Sequence, residues 1–174
     1  MQHSTSTTEP AVPLDVRPAT AADVDVLDRL WALFQHDMSA VTGALPDARG
    51  RFRDERLRAA RSDPGWEAWL ARLGGRPAGL AVVRGLDAPV RVLSGFFVVR
   101  AARRGGVGRR FARSVLTSRR GDWEVAFQHA NGAAAAFWPR VAADVAPGAW
   151  TLAHRPVPGR PELPRDAWIR LRVP

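Results

Sequence analysis

Residues 96–112 read Phe96-Phe97-Val98-Val99-Arg100-Ala101-Ala102-Arg103-Arg104-Gly105-Gly106-Val107-Gly108-Arg109-Arg110-Phe111-Ala112, and their order decides the fold. The apolar run 96–99 reads as a buried strand. A basic, glycine-rich turn follows. Val107, Phe111 and Val115 then recur four residues apart, with Leu116 on the same face, which predicts a helix. A strand, a glycine turn and a helix in that order gather unpaired backbone N–H groups and the positive end of a helix at one point, which is a physical site for phosphate. Gly106 and Gly108 carry no Cβ, so a ligand can approach the backbone there.

The charge distribution points to the same place. The net charge is +9, and the chain contains no lysine. Residues 91–121 hold nine arginines and no acid, while the rest of the chain holds seventeen arginines and seventeen acids. The whole excess therefore surrounds the glycine turn, as a ligand with several clustered phosphate charges would require. A nucleic-acid groove is the rival, but these arginines are not interleaved with exposed aromatics. A merely solvated helix face is the plain alternative. The lack of lysine excludes a Walker phosphate loop. A dinucleotide turn also competes, since Gly106-x-Gly108 begins G-x-G-x-x-G, but Phe111 stands where the third glycine belongs.

Working outward, residues 1–13 are polar with two prolines and are expected to be a disordered leader ahead of one domain, 14–174. Leu14–Pro18 reads as a short strand. Val24, Leu27, Leu30, Trp31 and Phe34 predict a first helix to about His36, closed by the segment Phe34–Ser39, with a loop over 40–50. A charged second helix is expected over Arg51–Arg61. Trp66–Leu73, Gly74-Gly75 and Pro77–Val83 form a hairpin signature. Val90–Val99 is the fourth strand, and the helix after it is expected to end at Gly121-Asp122. Trp123–Gln128 is the fifth strand, with Trp123, Val125 and Phe127 on one face. Asn131 caps a helix to about Asp144. Trp150–His154 and Ala167–Val173 are the last strands, joined by a proline-rich loop.

There is no cysteine, so disulfides, thiolate metal sites and thiolate nucleophiles are excluded. No apolar run reaches membrane-spanning length, and a cytoplasmic location is the expectation. Lysine and tyrosine are missing, and isoleucine and asparagine occur once each, which suggests a GC-rich, bacterial genome. Against that background the single asparagine, Asn131, stands out.

Arg103-x-x-Gly106-x-Gly108 resembles the acyl-CoA pyrophosphate loop of the GNAT-type N-acetyltransferases. Asn131-x-x-Ala134-x-x-Phe137-Trp138 resembles the helix of that family whose asparagine bonds the cofactor arm, and the element order matches over nearly the whole domain. The motifs FFV, R-x-x-G-x-G, WEV and N…FW together look like one branch of the family. The resemblance implies an α/β single-domain fold: a mixed central sheet of about seven strands, the parallel fourth and fifth splayed apart, flanked by about four helices.

It also implies that Phe97, Val98, Val99 and Arg100 offer backbone groups to the pantetheine arm and to the oxyanion of the reaction. Arg103, Arg104, Gly105, Gly106, Val107, Gly108 and Arg109 would hold the pyrophosphate, and Asn131, Phe137 and Trp138 would flank the arm. For Val98 and Asn131 the plain readings are a buried strand residue and a helix N-cap. Trp138 takes the place of the tyrosine that commonly protonates the departing thiolate, a step an indole N–H cannot perform. Ser94 lies where some relatives carry a catalytic glutamate. Glu124, His129, His36 and Asp37 are the candidate general bases, although a water chain would serve. Phe34 and Asp37 would belong to the acceptor pocket. For each lone acid or histidine the alternative is a structural role.

The expected function is acyl transfer, acetyl-CoA serving as donor, directly to a primary amine of a small molecule. The acids of residues 37–67 would suit a compact cation. A monomer or homodimer is expected, without metal, membrane or nucleic acid. The alternatives are a non-catalytic acyl-CoA sensor and a protein N-acetyltransferase.

Overall fold

The computed structural model describes residues 12–157 and 165–174. Its elements are β1 (Leu14–Pro18), α1 (Val24–Thr42), α2 (Glu55–Ser62), β2 (Trp66–Leu73), β3 (Arg76–Arg84), β4 (Val90–Val98), α3 (Val107–Leu116), β5 (Gly121–Gln128), α4 (Gly132–Val145), β6 (Trp150–Arg155) and β7 (Asp166–Val173). The strands form one seven-stranded sheet in the order β1-β2-β3-β4-β5-β7-β6. Among its pairings only β4 and β5 run parallel. The β2–β3 turn uses Gly74 and Gly75 at φ 57° and 77°, the left-handed pair that a tight two-residue hairpin turn demands.

Two apolar layers sandwich the sheet. On one face, Leu27, Leu30 and Trp31 of α1 and Leu57 of α2 pack on Leu70, Leu80, Val82 and Phe97. On the other, Phe111, Val115 and Leu116 of α3 and Val141 and Val145 of α4 cover Trp123, Val125 and Ile169. The alternation anticipated for β5 holds: Trp123, Val125 and Phe127 are buried, and the residues between them are half-exposed.

Three boundaries differ from the sequence reading. Helix α1 continues past His36 to Thr42, because nothing between them breaks a helix; it stops at Gly43, whose left-handed φ of 68° lets its N–H return to the Ser39 carbonyl. Helix α2 starts at Glu55 rather than Arg51, since Asp47 holds the preceding turn by accepting from the N–H groups of Arg49 and Arg51. Helix α3 ends at Leu116, and β5 already begins at Gly121. Of the expected leader, residues 1–11 lie outside the described residues; Pro13 is tied to the hairpin by the Gly74 N–H at 2.9 Å. Residues 158–164 of the proline-rich loop also lie outside them.

The feature that positions the site is where β4 and β5 part. They pair only from Val90–Asp122 to Leu93–Val125. At that level β4 carries a bulge: Val83 faces Leu93 and Val82 faces Gly95, leaving Ser94 extra. The Ser94 carbonyl accepts from Arg56 Nη1 at 2.5 Å instead of from β5. Beyond it, Gly95–Val98 and Ala126–Gln128 diverge and leave a gap within the sheet.

Candidate active site

At the C-terminal end of β4 the chain makes a short turn and enters α3 through Gly105 and Gly106, both left-handed at φ 79° and 77°. A Cβ at either would meet no atom within 4 Å, so the space above the turn is open. Among the described residues, the backbone N–H groups from Arg104 to Arg109 have no hydrogen-bond acceptor. These donors, at a helix N-terminus crowded with arginines, fit an anion such as a pyrophosphate.

Arg103 does not point freely into that space. Its Nε donates to the Val98 carbonyl at 2.8 Å, its guanidinium lies 5.7 Å from the Phe97 ring centroid, and it pairs with Asp37 of α1. Arg100 also reaches Asp37, at 2.9 Å. Burial works to raise the Asp37 carboxyl, but the hydrogen bonds from Arg103 and Arg100 outweigh it, and the net shift is downward. Arg109 pairs with Asp144 of α4. Arg104 is exposed, and Val107 is buried in the core beneath the turn.

Two cavities flank the gap. The first, about 390 Å³, is lined by Phe34, Asp37, Val98, Arg100, Arg103 and Gly108 with Phe97, Asn131, Phe137 and Trp138. The second, about 340 Å³, lies toward α2 and the end of β5, where Arg53, Glu55, Arg56, Ser94, Gln128 and Asp166 meet. Phe34, Met38, Phe96, Asn131, Ala134 and Trp138 line both, so the two spaces join at these residues. Phe96 organises the junction, with its ring 5.8 Å from that of Phe137 and 5.1 Å from that of Trp138. Asn131 Oδ1 accepts from the Ala134 N–H at 3.1 Å and caps α4. Both volumes lie in the range of small-molecule sites.

The structure thus brings together most of the residues expected from the sequence on the donor side. The candidate bases are placed differently. Asp37 lines the first cavity, its charge already met by two arginines. Glu124 is held by Arg155 at 2.9 and 3.2 Å and lines neither cavity. His129 Nδ1 lies 3.2 Å from His154 Nε2 on β6, and His36 is exposed on α1. The acids between 37 and 67 meet groups of this chain: Asp47 pairs with Arg51, Asp54 with Arg58, Glu55 with Arg53, and Glu67 with Arg119, and Asp63 accepts from the Gly65 N–H.

Two groups of the second cavity escaped the sequence reading. Arg56 is pushed down by burial and by the nearby charges of Arg84 and Arg53, with Asp166 and Glu55 opposing. Asp166 is pushed up by burial, against the pull of Arg56. Among the described residues the Asp166 carboxylate accepts no hydrogen bond.

A sheet parted between parallel strands, with free backbone N–H groups at a helix N-terminus beside one cavity and a second cavity adjoining it, offers room for two ligands, one of them anionic. The chain matches the model of the acetyltransferase (GNAT) family over residues 27–142, and it belongs to that family. Members use acetyl-CoA as donor, so this is a GNAT N-acetyltransferase. No curated protein matches the sequence significantly. Among solved structures it is similar to an acetyltransferase from Thermus thermophilus, at 21% identity and TM-score 0.67 over 94% of this chain and 99% of that one. It is also similar to RimL, a ribosomal L7/L12 alpha-N-protein acetyltransferase in complex with coenzyme A (13%, TM-score 0.64, 92% and 94%). A third is nourseothricin acetyltransferase (15%, TM-score 0.57, 92% and 99%). One architecture thus serves a protein acetyltransferase and an acetyltransferase named for a small molecule, so the fold leaves the acceptor open. Among the described residues no helix is long and apolar enough to cross a membrane.

Proposed function

We propose that this enzyme transfers acetyl from acetyl-CoA directly to the primary amine of a small molecule. The observation that carries the reading is the meeting of two cavities at Phe96, Asn131 and Trp138. One has an anion cradle at its mouth and the other has none. Donor and acceptor can therefore enter by separate cavities and meet where the two join.

On the donor side, the N–H groups of Arg104 to Arg109 hold the pyrophosphate, with Arg103 and Arg104 adding charge. The gap beyond Leu93 receives the pantetheine arm along the backbone of Val98. Acetyl-CoA supplies a thioester carbonyl that an amine can attack. Backbone donors near Phe97 and Val98 stabilise the oxyanion formed there. Trp138 packs at the junction, but its indole cannot give up a proton at neutral pH, so the departing thiolate takes its proton from solvent. Without cysteine there is no acyl-thioester intermediate on the protein.

Thermal shift with acetyl-CoA and free CoA, followed by thiol release across a panel of small amines, tests the reading. Stabilisation by both ligands and release with at least one amine is the expected result. No stabilisation by either defeats it. Stabilisation without release from any amine points instead to an acyl-CoA sensor.

A further inference from the structure

We propose that the second cavity is built for an amine that also carries an acidic group, with Asp166 receiving the ammonium and Arg56 the acid. The proposal rests on the donor reading above and concerns only what the acceptor looks like.

The charges of this cavity sort themselves by pairing. Arg53 and Glu55 pair with each other at 3.4 Å on the exposed rim. Arg155, which faces Asp166 across the β6–β7 pairing, is drawn away to Glu124 and lies 4.8 Å over the Trp168 ring. What remains is Arg56 and Asp166, close enough to feel each other's field but without an ion pair between them. Arg56 spends one N–H on the Ser94 carbonyl, and its other donors have no acceptor among the described residues. A guanidinium and a carboxylate that share a cavity without touching leave room for a ligand of both signs between them.

Their positions orient that ligand. Asp166 faces Gln128 at the end of β5, and the Gln128 carbonyl accepts from the Asn131 N–H at 3.0 Å, so Asp166 lies beside the junction of the two cavities. Arg56 lies at Ser94, where the strands begin to part. The amine end thus sits near the thioester, and the acid end points toward α2, where the Arg56 side chain is partly open to solvent. Burial raises the Asp166 carboxyl from its ordinary value, against the pull of Arg56, which brings its affinity for a proton closer to that of an amine at work. The ammonium gives one proton to Asp166, which passes it to water. The freed nitrogen attacks the carbonyl carbon, the N–C bond forms and the C–S bond breaks. The nitrogen loses a second proton to solvent, and the thiolate gains one from water. The net products are an amide, a thiol and one released proton.

The acceptor class is therefore an amine with a carboxylate or comparable acid a few bonds away, such as a free amino acid. The test compares amino acids with their own amides and with the amines left on decarboxylation, by thiol release and by thermal shift in the presence of CoA. The acids should exceed the matched neutral compounds at least tenfold in kcat/KM, and should stabilise the CoA complex where the amides do not. Arg56→Gln should bring that ratio toward one, and Arg56→Lys should restore part of it. Asp166→Asn should lower kcat for all of them. CoA-induced stabilisation is read on every variant, so that loss of folding or of donor binding is seen separately. Amides or decarboxylated amines that match or surpass the acids, or amino acids that neither react nor stabilise an enzyme that binds CoA, overturn the proposal while leaving the acetyltransferase reading intact.

Discussion

Arg103 donates from Nε to the Val98 carbonyl at 2.8 Å and from its guanidinium to Asp37, so one side chain ties the open edge of β4 to helix α1. In the proposed donor mode both bonds occupy groups that CoA would use: the Val98 carbonyl for the arm and the Arg103 cation for the pyrophosphate. Asp37 is in this sense a competitor of the phosphates. Asp37→Asn should tighten CoA binding, by about fivefold if the lost ion pair is worth ~1 kcal/mol. Arg103→Ala should weaken it, and more strongly at low salt. Calorimetric titration with CoA at two ionic strengths measures both. An Asp37→Asn enzyme with unchanged CoA affinity and a much larger acceptor KM would return Asp37 to the acceptor side.

The glycines of the turn separate folding from binding. Gly106 has a left-handed φ of 77° and open space around it. Gly106→Val should therefore cost about 1–2 kcal/mol of stability through backbone strain and block CoA through bulk. At Gly108 an added Cβ would lie 3.5 Å from the Phe137 ring, an ordinary contact, and the backbone is normal. Gly108→Ala should keep the parent Tm yet reduce CoA affinity. Equal loss of both properties at Gly108 would argue against a ligand passing over it.

Asn131 caps α4 through Ala134 N–H and also lines both cavities. Removal of the cap in Asn131→Ala should cost about 1 kcal/mol, read as a lower Tm. If the side chain also contacts the donor arm, KM for acetyl-CoA rises while that of the acceptor stays nearly constant. Asn131→Asp keeps the cap and alters the donor contact, so it should preserve Tm while still raising that KM.

Asp23 is the buried charge of the described residues, held by Arg17 at 2.7 and 2.9 Å and by the Thr20 N–H at 2.9 Å. The hydrogen bonds from Arg17, then that from the Thr20 backbone, hold its carboxyl well below the usual carboxylate range. Because the folded pKa is depressed, the stabilisation is fully present above the unfolded value near 4 and is lost as pH falls through the folded value. Asp23→Asn should lower Tm at pH 7 by several degrees, about what 1–2 kcal/mol produces in a domain of this size. The gap between variant and parent should narrow steadily below pH 4. A gap independent of pH would mean that Asp23 matters by shape, not charge.

The donor half of the site was legible because it is local. Strand, glycines, arginines and helix follow one another within residues 96–112, and the asparagine that lines both cavities opens the helix after the next strand. The end of α1 was misread because Phe34–Ser39 looked like a closing segment, whereas the effective stop is Gly43. The second cavity, where we place the acceptor, depends on distant partners. Arg56 sits in a helix of sequence ERLRAARS, where charge surrounds a single buried leucine and no periodicity marks one arginine from another. Asp166 gains its surroundings from α2 and β5, far away in sequence. Glu124 and His129 looked equally available, and the groups that occupy them, Arg155 and His154, lie on a later strand.

The bulge at Ser94 gives this sheet a third edge, in its interior. Outer edges invite other strands, and proteins blunt them with charge or twist. The inner edge along Gly95–Val98 is protected by depth: α1 supplies Phe34 and Met38 on one side and α4 supplies Ala134 and Trp138 on the other. A ligand that pairs with this inner edge must therefore thread between α1 and α4, past Phe34, Met38, Ala134 and Trp138.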